Sequence, residues 1–268
     1  MRFRLLKRLV MIVAVTVISL MLRTDSDAAI YWEDSFEAPT NLDNWIFSAL
    51  GNPVVTTAQH FDGTQSVWGH YTGKDSGNGM FRYYPITEEV WVRFYYRTTN
   101  FTYDAVGTKH IYMASNDGGY PNFWLNTDAS NREFRPIAQV PAQDCGLGPY
   151  DSCVYNPNIA HIPIADDRWY CIEQHLKMNT PGVANGIVEL WVDGVQTVGY
   201  TNALLRGTAV NGTNRNSSQA YFQFVEIYVQ HGDGEMFYDQ FAVGNTRIPC
   251  IGSTPGQQPS PPTGTRLQ

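Results

Sequence analysis

Between residues 30 and 250 no stretch repeats apolar residues at the spacing of an amphipathic helix, and that constrains the fold most. Instead, short runs alternate apolar and polar residues: "EVWVRFYYRTTNF", "GTKHIYMAS", "RWYCIEQHLKM", "GIVELWVDG", "AYFQFVEIYVQHG" and "MFYDQFAVG". Val, Tyr, Phe, Trp and Thr dominate them, and Gly, Asn, Asp and Pro separate them, which is the pattern of β-strands joined by turns. Many short strands without helices predict an all-β protein, a two-sheet antiparallel β-sandwich or barrel.

The ends of the chain stand apart from this pattern. Residues 1–28 combine a basic start with an apolar run from Leu9 to Leu22 and then small residues, the arrangement of a secretory signal peptide. The run is short for a membrane span, so the expectation is a secreted or periplasmic protein with no membrane association after cleavage. Residues 251–268 are rich in Pro, Gly, Ser, Thr and Gln and predict a disordered tail. One domain, residues 29–250, remains. The chain carries a net charge of -7 and shows no basic stripe, which argues against nucleic-acid binding.

Four cysteines in an exported chain predict two disulfides. Cys145 and Cys153 bracket the loop "CGLGPYDSC", and Cys171 would then pair with Cys250.

Alternation assigns faces within the strands. In "RWYCIEQHLKM" one face carries Cys171, Glu173, His175 and Lys177; the other carries Ile172, Leu176 and Met178, with Gln174 as a polar intruder. In the next run Val188, Leu190 and Val192 face the core while Glu189 and Trp191 face out. A hairpin between the two would set Lys177 across from Glu189 and His175 across from Trp191. In "VWVRFYYRT", Val92, Phe94 and Tyr96 point in, and Trp91, Arg93, Tyr95 and Arg97 point out. Rings stack on sugars and charged groups fix hydroxyls and carboxylates, so this outward face has the composition of a saccharide-binding cleft on a concave sheet.

The run "RWYCIEQHLKMNTPGVANGIVELWVDGV", with the closing "MFYDQFAVGNTRI" and the opening "YWEDSFEAPTNLDNWIF", resembles the concanavalin A-like lectin/glucanase superfamily, nearest to its jelly-roll polysaccharide lyases. The resemblance implies a jelly roll with a concave groove that holds an acidic oligosaccharide. That superfamily contains hydrolases, lyases and inert binding modules, so activity must be argued from the site.

The glucanase triplet of acids on one strand is missing, although Glu173 and Glu189 could still serve a two-carboxylate hydrolysis. The inventory for β-elimination on a uronate is present: a group to neutralise the carboxylate and groups to move protons. Arg93 and Arg97 would hold the carboxylate, Tyr95 would line the groove, and His110 and Tyr112 would transfer protons if Ile111 and Met113 are core. His175, Lys177, Trp191, Tyr228 and Gln230 would complete the site, and Lys109 would share the inward face of Ile111 and Met113. No cofactor is required. Asp34 and Asp239, on terminal strands, are candidates for a structural Ca²⁺. The reading is a monomer that acts on an acidic polysaccharide, with a non-catalytic carbohydrate-binding module as the alternative.

Overall fold

The computed structural model describes residues 29–39, 42–47, 53–73, 78–114, 122–139, 152–208 and 218–252. The expected signal peptide, Cys145 and nearly all of the expected tail lie outside them. The described residues contain fifteen strands and no helix. In chain order they are β1 (Ile30–Asp34), β2 (Ile46–Phe47), β3 (Val54–Thr56), β4 (Ser66–Tyr71), β5 (Asn78–Thr87), β6 (Glu89–Tyr103), β7 (Thr108–Ala114) and β8 (Asn122–Thr127), followed by β9 (Phe134–Gln139), β10 (Ser152–Val154), β11 (Tyr170–Lys177), β12 (Gly186–Val192), β13 (Val195–Ala203), β14 (Phe222–Gln230) and β15 (Gly232–Gly244).

They form two antiparallel sheets. One runs β13-β12-β11-β6-β15-β4-β3, with β1 also paired to β15, and makes eight strands. The other has seven strands in the order β10-β9-β8-β7-β14-β5-β2. Neighbours in space are mostly distant in sequence, so the sheets are held by long-range pairing. This is the expected two-sheet jelly roll.

The core lies between the sheets and follows the alternation. Val90, Val92, Phe94 and Tyr96 of β6, with Ile172 and Leu176 of β11, meet Ile111 and Met113 of β7 and Val225, Ile227 and Val229 of β14. Each such side chain stabilises by about 1.5–3 kcal/mol when fully buried. Gln174 lies among them, fully buried.

Irregularities decide parity where alternation alone would mislead. In β15 the pairing shifts between Asp239 and Ala242, with Gln240 at φ +47°. Met236 and Tyr238 therefore face the core before the shift, and Phe241 and Val243 after it. In β7, Lys109 and Ile111 pair with consecutive residues Asn126 and Leu125 of β8, which makes His110 the extra residue of a bulge.

The outer face of the eight-stranded sheet is not open along its length. Tyr95, Trp169, Cys171, Phe237 and Cys250 form a second apolar cluster there, with Phe61 and Trp68 packed against it. Phe61 stacks on Tyr95 with ring centroids 3.6 Å apart. Asp239 fastens the Phe61 loop by accepting hydrogen bonds from the backbone N–H of Phe61 (2.8 Å) and Asp62 (3.2 Å). The segment after β15 is tied down by the Cys171–Cys250 disulfide and by the Ile251 N–H, which donates to the Tyr95 hydroxyl at 2.7 Å. The expected Cys171–Cys250 pairing is thus present. Cys153 is also disulfide-bonded.

Candidate functional site

The residues expected to share one groove are divided between the two outer faces of the sandwich, with one in the core. Arg93, Tyr95, Arg97, Glu173, His175, Lys177, Glu189 and Trp191 are on the outside of the eight-stranded sheet. Tyr112, Tyr228 and Gln230 are on the outside of the seven-stranded sheet. Sheets in a sandwich are about 10 Å apart before side chains are counted, so no single sugar chain touches both groups.

On the eight-stranded side the polar residues are paired among themselves. Arg93 is 4% exposed and reaches Glu33 at 3.4 Å. Arg97 donates to Asp167 at 2.9 Å. Glu173 receives two hydrogen bonds from Arg247, at 2.7 and 3.2 Å, and that guanidinium lies 4.4 Å from the Trp191 ring centroid. His175 sits between Glu189 (2.7 Å from Nδ1) and Glu89 (2.9 Å from Nε2) and stacks under Trp91 at 4.0 Å. Lys177 pairs with Glu89 at 2.8 Å.

The hairpin register differs from expectation by two residues. His175 lies opposite Glu189, and Glu173 opposite Trp191. A two-residue slip keeps every side chain on its own face, so alternation cannot choose between the registers. The connection is anchored instead by Asn179, whose side-chain oxygen accepts from Leu205 and Arg206 N–H at 2.8 and 2.7 Å.

His110 does not face solvent. It is 0% exposed, 2.6 Å from the Thr127 hydroxyl, and ringed by Tyr96 and Phe134. Burial drives its pKa down to about 3. The β7 bulge is the cause: His110 and Ile111 both turn inward, and Lys109 and Tyr112 both turn outward.

That bulge assembles a different cluster on the seven-stranded sheet. Lys109 Nζ donates to Gln230 Oε1 at 2.8 Å and lies 4.9 Å from the Trp124 ring centroid. Burial lowers the Lys109 pKa from its ordinary value. The Tyr112 hydroxyl donates to Asn122 Oδ1 at 2.7 Å, and its ring is 5.4 Å from Trp124. Lys109 and Tyr112 therefore flank one indole. Along one cross-strand row lie Gln230, Lys109, Asn126 and Arg135. Arg135 is held by Asp128, and Gly107, at φ +89°, leaves it room: a Cβ there would come within 3.1 Å of the guanidinium. The neighbouring row holds Trp124, Tyr112 and Glu226. Burial and the Glu226 charge raise the Tyr228 pKa.

Trp124, Asn122, Asn126 and Arg135 were invisible to the sequence reading. Their strands, "NFWLNT" and "FRPIAQ", are six residues each. The second contains Pro136, which argues against an inner strand.

Asp34 and Asp239 have separate partners. Asp34 accepts from Phe36 N, the Trp45 indole and Arg82. Among the described residues the one three-donor group with metal-ligand spacing is Cys171, Glu173 and Cys250. It does not fit a metal, because its two sulfurs are joined to each other.

No family model and no curated protein matches the chain. Solved structures do. The endo-β-1,4-glucuronan lyase of the fungus Trichoderma reesei aligns over 81% of this chain and 96% of its own, with a TM-score of 0.55 and 16% identity. The alginate lyase of Aplysia kurodai aligns over 82% and 100%, with a TM-score of 0.59 and 12% identity. A variant of alginate lyase Aly36B in complex with alginate trisaccharide aligns over 82% and 98%, with a TM-score of 0.55 and 12% identity. The chain shares its two-sheet jelly-roll fold with these lyases. In this jelly roll the two faces differ in kind. One is roofed by its own chain and internally ion-paired over much of its width. The other presents an amine, a phenol, two amides and a guanidinium around an indole.

Proposed function

We propose that the protein is an exported lyase that cleaves a uronate-containing polysaccharide by β-elimination on the outer face of the seven-stranded sheet. The observation that carries this reading is the placement of Lys109 and Tyr112 on either side of Trp124, beside Gln230. Lys109, made less basic by burial, takes the proton from C5 of a bound uronate. Gln230 and Arg135 face the sugar carboxylate and stabilise the charge that develops as the proton leaves. The C4–O4 bond then breaks, a C4–C5 double bond forms, and the Tyr112 hydroxyl gives its proton to the departing oxygen. No nucleophile, carboxylate pair or cofactor takes part. Arg93 and His110, expected in this role from sequence, are replaced by residues from the other sheet face.

The fold shared with glucuronan and alginate lyases supports the reading. The test is to incubate the secreted protein with alginate and glucuronan and follow far-ultraviolet absorbance of the unsaturated product. A rise with wild type that disappears in Tyr112→Phe is expected. Retention on the polymer without product would leave the same face as a non-catalytic binding module, a role its many rings would also serve. Reducing ends without absorbance would mean hydrolysis.

A further inference from the structure

On the eight-stranded sheet, Val67 and Tyr71 of β4 face the core, so Trp68 and His70 turn outward. Trp68 is partly buried against the cluster of Tyr95, Trp169 and Phe237, which fixes its indole, and His70 is exposed. The two ring centroids are 6.5 Å apart and the ring planes 30° from parallel. Glu235 of β15, itself partly buried, lies opposite His70 on one side and Thr99 on the other. Arg93, Arg97, Glu173 and Lys177 of this face all have ionic partners. Glu235 and His70 differ, because neither makes a hydrogen bond or an ion pair among the described residues.

A partly buried carboxylate without donors lacks the hydrogen bonds it would have in water. An ionised carboxylate only accepts, so the group that suits it brings hydroxyl donors. A second carboxylate beside it is repelled. The indole next to it buries the C–H face of a pyranose well. We propose that Trp68, His70 and Glu235 form a second saccharide site, which takes an uncharged sugar. The sugar ring lies on the Trp68 indole, its hydroxyls donate to Glu235, and the His70 imidazole holds a further hydroxyl. No bond is made or broken there. The two sheets put this site on the side of the sandwich away from Lys109, so a molecule anchored to a neutral polysaccharide keeps its other face open. The inference does not rest on the lyase reading.

The experiment measures migration of wild type, Trp68→Ala and Glu235→Ala in native gels containing hydroxyethylcellulose, galactomannan or mixed-linkage glucan, each relative to a polymer-free gel. Wild type should be retarded by at least one of the three, and each substitution should weaken that binding about tenfold. Gels containing alginate should show no difference between wild type and the two variants. Trp68 supports the Phe237 cluster, so a thermal melt accompanies each variant; if Trp68→Ala does not fold, Glu235→Ala decides alone. No retardation of wild type by any of the three neutral polymers overturns the site, and so does unchanged retardation in a folded variant. Equal losses in neutral and alginate gels would mean one shared site and would also overturn it. If alginate does not retard wild type, the uronate reading is weakened, while the neutral gels still judge this site.

Discussion

Lys109 and Tyr112 are three residues apart on one strand yet project from the same side of the sheet. A regular strand forbids this, since positions three apart point to opposite faces. The extra residue is His110, and its insertion into the core brings the amine and the phenol to one indole. Lys109→Ala is expected to lower kcat on uronate polymers by about 100-fold or more, the usual contribution of a positioned proton-transfer group. The melting temperature should change little, because the side chain is on the outer face. Steady-state kinetics beside a thermal melt checks both halves.

His110 also sets a pH dependence of stability. Its folded pKa, about 3, is far below the ordinary value for histidine, 6.5. The unfolded chain therefore takes up a proton below about pH 6.5 that the folded chain refuses, and stability falls as pH drops from there toward 3. The contribution to the slope is about 1.4 kcal/mol per pH unit. Urea denaturation at pH 7 and pH 4.5 should show a smaller loss in His110→Phe combined with Thr127→Val than in wild type. The paired change avoids leaving the Thr127 hydroxyl without its partner.

Gln174 is fully buried, opposite Val92 and Leu190, and neither side-chain polar atom has a hydrogen-bond partner among the described residues. An unsatisfied buried amide costs about 1–3 kcal/mol. Gln174→Leu should therefore stabilise the protein by that order, seen as a higher urea midpoint with an unchanged slope.

Much of this was legible from alternation. The strands β6, β11, β12, β14 and β15, the inward residues of β6, β11 and β12, the oddity of Gln174 and the Cys171–Cys250 pair all follow from period-two reading and cysteine arithmetic. The site did not follow, for three physical reasons. Alternation says which residues share a face but not which strands share a sheet, so Arg93 and Gln230 were grouped although the sandwich separates them. A single inserted residue reversed the parity of His110. And Tyr95, outward by alternation, is covered by Phe61 from a loop whose position no local pattern records.

The Cys171–Cys250 bridge closes a long loop, with a sequence separation of 79, and a loop of that size contributes roughly 4 kcal/mol. Replacing both cysteines by serine should lower the melting temperature markedly. Well below that temperature, turnover should stay near wild type, because the bridge is on the face opposite Lys109. A loss of turnover in the folded variant would place the chemistry on the bridged face.

Glu189 is half-buried against His175 on that same face. Glu189→Gln should leave polysaccharide cleavage intact. If cleavage disappears and the lost products are reducing ends without a double bond, a two-carboxylate hydrolysis through Glu173 and Glu189 is operating instead.

The most direct test reads the faces separately through their tryptophans. Trp124 lies beside Lys109 and Tyr112, whereas Trp91 and Trp191 are on the opposite side of the sandwich. Indole N–H resonances, assigned by substitution, are followed while an oligouronate is titrated into the full-length protein. The account predicts a saturable shift of Trp124 with Trp91 and Trp191 unmoved; shifts of Trp91 and Trp191 with Trp124 unmoved would contradict it.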